Sequence, residues 1–328
     1  MYNVLTLNNI SQKGLVRFDK AAFNVSDALT KPDAILLRSF KLTPDHATDG
    51  LLAVGRAGAG VNNIPVDAYT ERGIVVFNTP GANANAVKEL VVAGMLLSRR
   101  GIVQGIDYVS GLSEVTDKAN LNTQVEASKK SFKGSELKGR TLGVLGLGAI
   151  GSMVADIALQ LDMTVLGFDP ALSVDSAWRL SSRVQKMDSV EALFARSDLV
   201  TLHVPALPET EKMVNAALLG AMKPGSVLLN FARGEIVDTA AIKASLANGQ
   251  LGQYISDFPV PELVNMPGVL ATPHLGASTD EAEDNCAIMA ADQLMDFLIN
   301  GNIKNSVNFP NLHLERSQLG CRIALSNR

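Results

Sequence analysis

The sequence has too few cysteines for a disulfide framework: Cys286 and Cys321 are the only two, and neither has a partner at metal-ligand spacing. Both are expected to be ordinary reduced thiols. The four histidines, His46, His203, His274 and His313, form no H-x-x-x-H pair, which argues against a structural or catalytic zinc, and no metal is expected. Long apolar runs are also missing. The longest, Leu90 to Leu97, is less than half a bilayer-spanning helix. The N-terminus lacks the basic, apolar, small-residue order of a signal peptide, so a soluble cytoplasmic chain is expected, with no membrane partner. Lys, Arg, Asp and Glu are interspersed without same-sign runs and the formal net charge is -4, which leaves no electrostatic footprint for nucleic acid.

What is present is enough apolar residue, 47% of 328, to exceed one hydrophobic core, so two domains are expected. Short β-branched or leucine-rich runs at Val4 to Leu7, Ala34 to Leu37, Leu52 to Val54 and Ile74 to Phe77 alternate with helical stretches, the pattern of a parallel α/β sheet. Asn78-Thr79-Pro80-Gly81 breaks that order, and Ala84 to Arg100 reads as one long apolar-faced helix. After a polar stretch from Ser110 to Ser135, a second series follows at Thr141 to Leu145, Thr164 to Asp169, Leu199 to Val204, Ser226 to Asn230 and a strand ending near Asp257. Thr279 to Ile299 reads as a helix that returns the chain to the first domain, making that domain discontinuous.

Gly146-Leu147-Gly148-Ala149-Ile150-Gly151 lies between the strand Thr141 to Leu145 and a helix from Ser152 to Leu161, where a dinucleotide fingerprint must sit. Its glycines allow a tight turn and close backbone approach, so a pyrophosphate can rest on amides at the positive end of the helix. Asp169 ends the next strand, about where a carboxylate is needed to accept hydrogen bonds from the adenosine ribose. A 2'-phosphate would meet that negative charge, and the following Pro170-Ala171 supplies no arginine. NAD is therefore expected over NADP.

Downstream, Arg233 follows the strand closing at Asn230, Glu262 closes Asp257-Phe258-Pro259-Val260-Pro261-Glu262, and His274 lies in Thr272-Pro273-His274-Leu275-Gly276. Oxidising a 2-hydroxy acid needs a cation for the carboxylate and a base for the hydroxyl proton. An arginine grips a carboxylate through two parallel N–H bonds. An imidazole titrates near neutral pH and shuttles a proton either way, and a carboxylate such as Glu262 would hold its ring.

These segments, together with Val54-Gly55-Arg56-Ala57-Gly58-Ala59-Gly60-Val61, Asn78 to Gly81, Asn230-Phe231-Ala232-Arg233-Gly234 and Pro273 to Thr279, resemble the D-isomer-specific 2-hydroxyacid dehydrogenase family. The resemblance runs through nearly the whole chain. It implies an α/β fold of two doubly wound parallel-sheet domains, a Rossmann NAD-binding domain (89–276) inserted into a discontinuous flavodoxin-like substrate domain (1–88 and 277–312). It implies Arg233 as the substrate-binding arginine, Glu262 and His274 as the proton relay, Asp257 near the nicotinamide, and a homodimer or homotetramer. Within the family the match is closest to the branch that oxidises D-3-phosphoglycerate with NAD in serine biosynthesis, because Arg38 and Arg56 correspond to that branch's phosphate-handling arginines. The expected substrate therefore carries a carboxylate and a phosphate. Lys129 or Lys130 is a further candidate for that phosphate, reaching it from a partner subunit, with a solvated lysine pair as the plainer reading. The alternatives are a dehydrogenase of lactate, glycerate or a branched 2-hydroxy acid, whose pocket would not need both arginines, and an NAD-sensing corepressor-like binding protein. Two departures stand out: Phe258-Pro259 follows Asp257 where the family usually has Val-Phe, and Leu263 replaces a common proline. Residues 313–328 resemble the start of a regulatory ACT domain that senses serine, so the tail is expected to be a truncated piece of one.

Overall fold

The computed structural model of the protein describes residues 1–314. The tail reading falls almost wholly on residues 315–328 and lies outside the described residues, as does Cys321. The chain divides into two compact units, one holding Met1–Ala86 and the segment from Ala277 on, the other Val87–Gly276. The first cut thus falls after Ala86 rather than after residue 88.

The first unit is built on β1 (Tyr2–Leu7), β2 (Phe23–Ser26), β3 (Ala34–Leu37), β4 (Ala53–Arg56) and β5 (Val75–Phe77). They form one sheet in the order β2-β1-β3-β4-β5, all parallel, the flavodoxin-like order. Because helices cover both faces of such a sheet, its strands read as unbroken apolar runs, with side chains alternating between two cores. Ala34, Leu36, Ala53, Val75 and Phe77 face one core, shared with Ala287, Ala290 and Leu294 of the long helix Asp280–Asn300. Ile35, Leu37, Val54 and Val76 face the other. That helix is started by Thr279, whose hydroxyl accepts from the Ala282 amide, and stopped by Gly301 in the left-handed conformation.

The second unit carries β6 (Thr141–Leu145), β7 (Thr164–Phe168), β8 (Gln185–Lys186), β9 (Leu199–Leu202), β10 (Ser226–Asn230), β11 (Leu251–Ser256) and β12 (Val269–Ala271). The order is β12-β11-β10-β9-β6-β7-β8, again all parallel. This is the doubly wound dinucleotide-binding arrangement with one more strand, and its order reverses between β6 and β9. Leu145, Leu166, Val200, Leu202 and Leu228 fill one core and Leu142, Val144, Val165, Val227 and Leu229 the other. Each fully buried leucine contributes about 1.5–3 kcal/mol through burial of apolar surface.

Three strands escaped the sequence pattern. β2, β8 and β12 are all edge strands with partly or fully exposed residues, polar ones among them in β2 and β8, so none reads as a buried apolar run. The polar stretch also hides a helix, Lys118–Ser128, which buries no residue and is started by Asp117 accepting from the Asn120 amide. No helix of the described residues is long and apolar enough to cross a membrane.

Candidate functional site

The glycine loop, Asp169, Asp257, Arg233, Glu262 and His274 of the second unit follow the carboxyl ends of its strands, where open α/β sheets bind ligands. The glycine loop leaves β6 beside the point where the strand order reverses. Gly146 turns with φ 90°, and a Cβ there would come within 2.7 Å of the His203 carbonyl. A Cβ on Gly151 would lie 1.9 Å from the Gly146 oxygen, so the helix Ala149–Gln160 can approach its strand only with glycine at that position. At Gly148, by contrast, an added Cβ meets nothing within 4 Å, and no side chain caps the helix's first turn. The open space and the uncapped amides of Ala149, Ile150 and Gly151 fit a pyrophosphate.

Asp169, one residue past β7, accepts hydrogen bonds from the Leu147 amide at 2.8 Å and the Ala171 amide at 2.9 Å. Each oxygen thus takes one bond and keeps a lone pair for another donor. The carboxylate also ties the glycine loop to the neighbouring strand end, a task not evident from its spacing.

Arg233, Glu262 and His274 follow three adjacent strands whose ends are in register, with Asn230 paired to Ser256 and Ser256 to Ala271. The Arg233 loop is shaped by Asn230, a fully buried residue at the end of its strand. Its Nδ2 donates to the Arg233 carbonyl at 2.9 Å and its Oδ1 accepts from the Ala232 amide at 3.2 Å. The half-buried guanidinium donates from Nη1 to the Ala232 carbonyl at 2.7 Å and has no carboxylate partner among the described residues.

His274 stands in the left-handed region, φ 57°, and its ring packs on Phe258 with centroids 4.9 Å apart. The expected pair with Glu262 is not formed. Glu262 is exposed in the short turn Pro261–Leu263, and no hydrogen bond or ion pair joins it to the imidazole. The ring lies instead against Phe258, one of the residues that departs from the family pattern. Asp257 has protein donors of its own. Only 1% exposed, its carboxylate accepts from the Thr272 hydroxyl at 2.6 Å and the Leu275 and Gly276 amides at 2.7 Å each. It folds the segment on both sides of His274.

His203, just past β9, was noted in the sequence only as lacking a metal partner. Its Nε2 lies 2.9 Å from the Thr201 hydroxyl, while its Nδ1 is buried without a partner although part of the residue reaches the surface. Burial pushes its pKa down to about 3, so the ring is neutral at physiological pH.

In the first unit, Arg38 follows β3 and Arg56 ends β4, two paired neighbours. Arg38 Nη1 is 2.6 Å from Glu283 Oε1. In the second unit, Lys129 pairs with Glu126 and both it and Lys130 are exposed.

The family model for the D-isomer specific 2-hydroxyacid dehydrogenase NAD-binding domain matches residues 106–276. D-3-phosphoglycerate dehydrogenase of Synechocystis sp. is 36% identical over 334 residues, covering 95% of this chain and 57% of that protein. The protein of the same name from Escherichia coli K12 is 34% identical over 316 residues, covering 91% of this chain and 73% of its own length. The NAD+-bound 3-phosphoglycerate dehydrogenase of Entamoeba histolytica superposes with a TM-score of 0.73 at 26% identity, over 94% of this chain and 99% of that one. The chain spans 52–59% of the length of the first four curated relatives it matches. With glycine loop, acid and strand-end residues all inside or beside the matched region, the chain belongs to the D-isomer specific 2-hydroxyacid dehydrogenase family and carries that family's NAD-binding domain.

Proposed function

We propose that this chain oxidises D-3-phosphoglycerate to 3-phosphohydroxypyruvate, the entry step of phosphorylated serine biosynthesis, with NAD as the oxidant. The observation that carries the reading is Arg233, a half-buried cation with no carboxylate partner among the described residues, held by a buried asparagine at a strand carboxyl end. A half-buried cation left unpaired is costly, and a substrate carboxylate removes that cost. Bound NAD would supply the hydride acceptor for the C2 hydrogen. Arg233 orients the carboxylate so that the C2 hydrogen faces the acceptor. His274 takes the hydroxyl proton as the carbonyl forms. Glu262 joins it as the orienting carboxylate on substrate binding, since such hydrogen bonds often tighten only in the complex. Arg38 and Arg56 hold the phosphate. The test is NADH formation by the purified chain with phosphorylated and plain D-2-hydroxy acids. Preference for a plain acid would establish the second reading, a dehydrogenase of an unphosphorylated D-2-hydroxy acid, which the Arg38–Glu283 pair favours by occupying one of the two cations.

Asp169→Ala is expected to weaken NAD binding roughly tenfold to a hundredfold, the value of hydrogen bonds to a charged acceptor, and NADP binding much less. Titration of both cofactors checks this, and an unchanged NAD to NADP ratio removes Asp169 from the site.

A second copy of the chain is the proposed partner. Helix Ile102–Ser110 buries no residue and leaves Ile106 60% and Val109 55% exposed. These two line a groove with Ile102 and Phe132. A contiguous apolar patch of this kind suits association. Sedimentation should give a dimer or tetramer for the parent and a monomer for Ile106→Asp; a monomeric parent would end the proposal.

A further inference from the structure

Two cations converge at the carboxyl edge of the five-stranded sheet. Leu37 and Arg56 are register partners, so Arg38 and Arg56 leave neighbouring strand ends. Arg56 Nε donates to the Arg38 carbonyl at 3.2 Å, and Asn63 Nδ2 donates to the carbonyls of Arg38 and Phe40 at 3.2 and 2.7 Å. The Arg56 guanidinium lies over Gly58, where a Cβ would sit 2.2 Å from Nη1. Its path thus depends on the missing side chain.

Both guanidinia also face the start of the helix Asp280–Asn300. Burial pushes the Cys286 thiol up, while Arg56 and Arg38 both pull it down. One turn before Cys286, Glu283 meets Arg38 at 2.6 Å. The arginine and glutamate side chains are 35% and 42% exposed, so the pair is open to exchange rather than a sealed structural bridge.

We propose that Glu283 is a specificity-determining competitor that holds Arg38 until a substrate phosphate displaces it. The proposal rests on the reading of Arg38 and Arg56 as the phosphate site. Glu283 offsets one positive charge of the cluster that a phosphate dianion would meet, and glutamine in its place restores that charge. An unphosphorylated acid leaves the Arg38–Glu283 pair intact, so Glu283 penalises only the phosphorylated substrate and narrows the preference between the two classes. Partly exposed ion pairs are worth little, which suits a contact that must yield.

The experiment compares Glu283→Gln with the parent, using D-3-phosphoglycerate and D-glycerate as substrates and inorganic phosphate as a competing probe. Glutamine keeps the side-chain length and an acceptor oxygen while removing the charge. KM for D-3-phosphoglycerate and the inhibition constant of inorganic phosphate should both fall roughly three- to fivefold, the fold-change of one exposed ion pair, with KM for D-glycerate unmoved. An unchanged or raised KM for D-3-phosphoglycerate overturns the proposal. Glu283→Ala, checked by its melting temperature, must move the two constants in the same direction. Arg38→Ala separates the layers. It should raise KM for D-3-phosphoglycerate only; equal losses on both substrates would discard the phosphate site itself and the proposal with it. A selective loss in Arg38→Ala beside an unresponsive Glu283→Gln would discard the proposal alone.

Discussion

His274→Asn is expected to cut turnover by about a hundredfold to ten-thousandfold, the range for losing a general acid–base group, while NAD affinity and melting temperature stay near those of the parent. Asparagine is the informative choice because residue 274 sits at φ 57°. Alanine in the left-handed region costs about 1–2 kcal/mol, which would mix a backbone effect into the measurement, whereas asparagine tolerates it. Single-turnover kinetics and cofactor titration provide the readout. A loss of NAD affinity parallel to the loss of rate would mean that the imidazole serves the cofactor and not the substrate hydroxyl.

Asp257→Asn is expected to destabilise the second unit by about 2–4 kcal/mol, because an amide cannot accept from all three donors that the carboxylate now satisfies. With Oδ1 kept for the Thr272 hydroxyl and Leu275 amide, the new NH2 group would face the Gly276 amide, donor against donor. For a unit of this size the melting temperature should fall by roughly 5–15 °C. Turnover should drop about a hundredfold as the His274 segment shifts, since a displacement of about 1 Å is enough. Calorimetry and kinetics together test the assignment. A variant that melts like the parent but loses NAD affinity would assign Asp257 the cofactor contact that the family resemblance implies in place of the structural role.

The strands that carry the site were legible because each is buried on both faces. Thr141–Leu145 and Ser226–Asn230 have the bounds read from their apolar runs, and the glycine loop was recognisable from its place between strand and helix. The contacts among the site residues were not. Glu262 and His274 suit each other as residue types, yet one stands exposed in a turn and the other rests on Phe258. Asn230 looked like the last residue of a strand, though its amide shapes the arginine loop. Glu283 carried no signal, since its partner Arg38 is far away in the chain and meets it only after folding.

The sequence by itself determined the two parallel-sheet units, the dinucleotide loop and the residue types available at each strand end. Those follow from periodicity, glycine placement and burial, which are properties of short stretches of chain. Only the tertiary structure decided which polar groups already have partners. Asp257 is occupied by three donors, Arg38 by Glu283, and Arg233 by no acid among the described residues. A hydrogen bond or ion pair depends on separations of a few tenths of an ångström between segments that have no fixed distance until the fold brings them together.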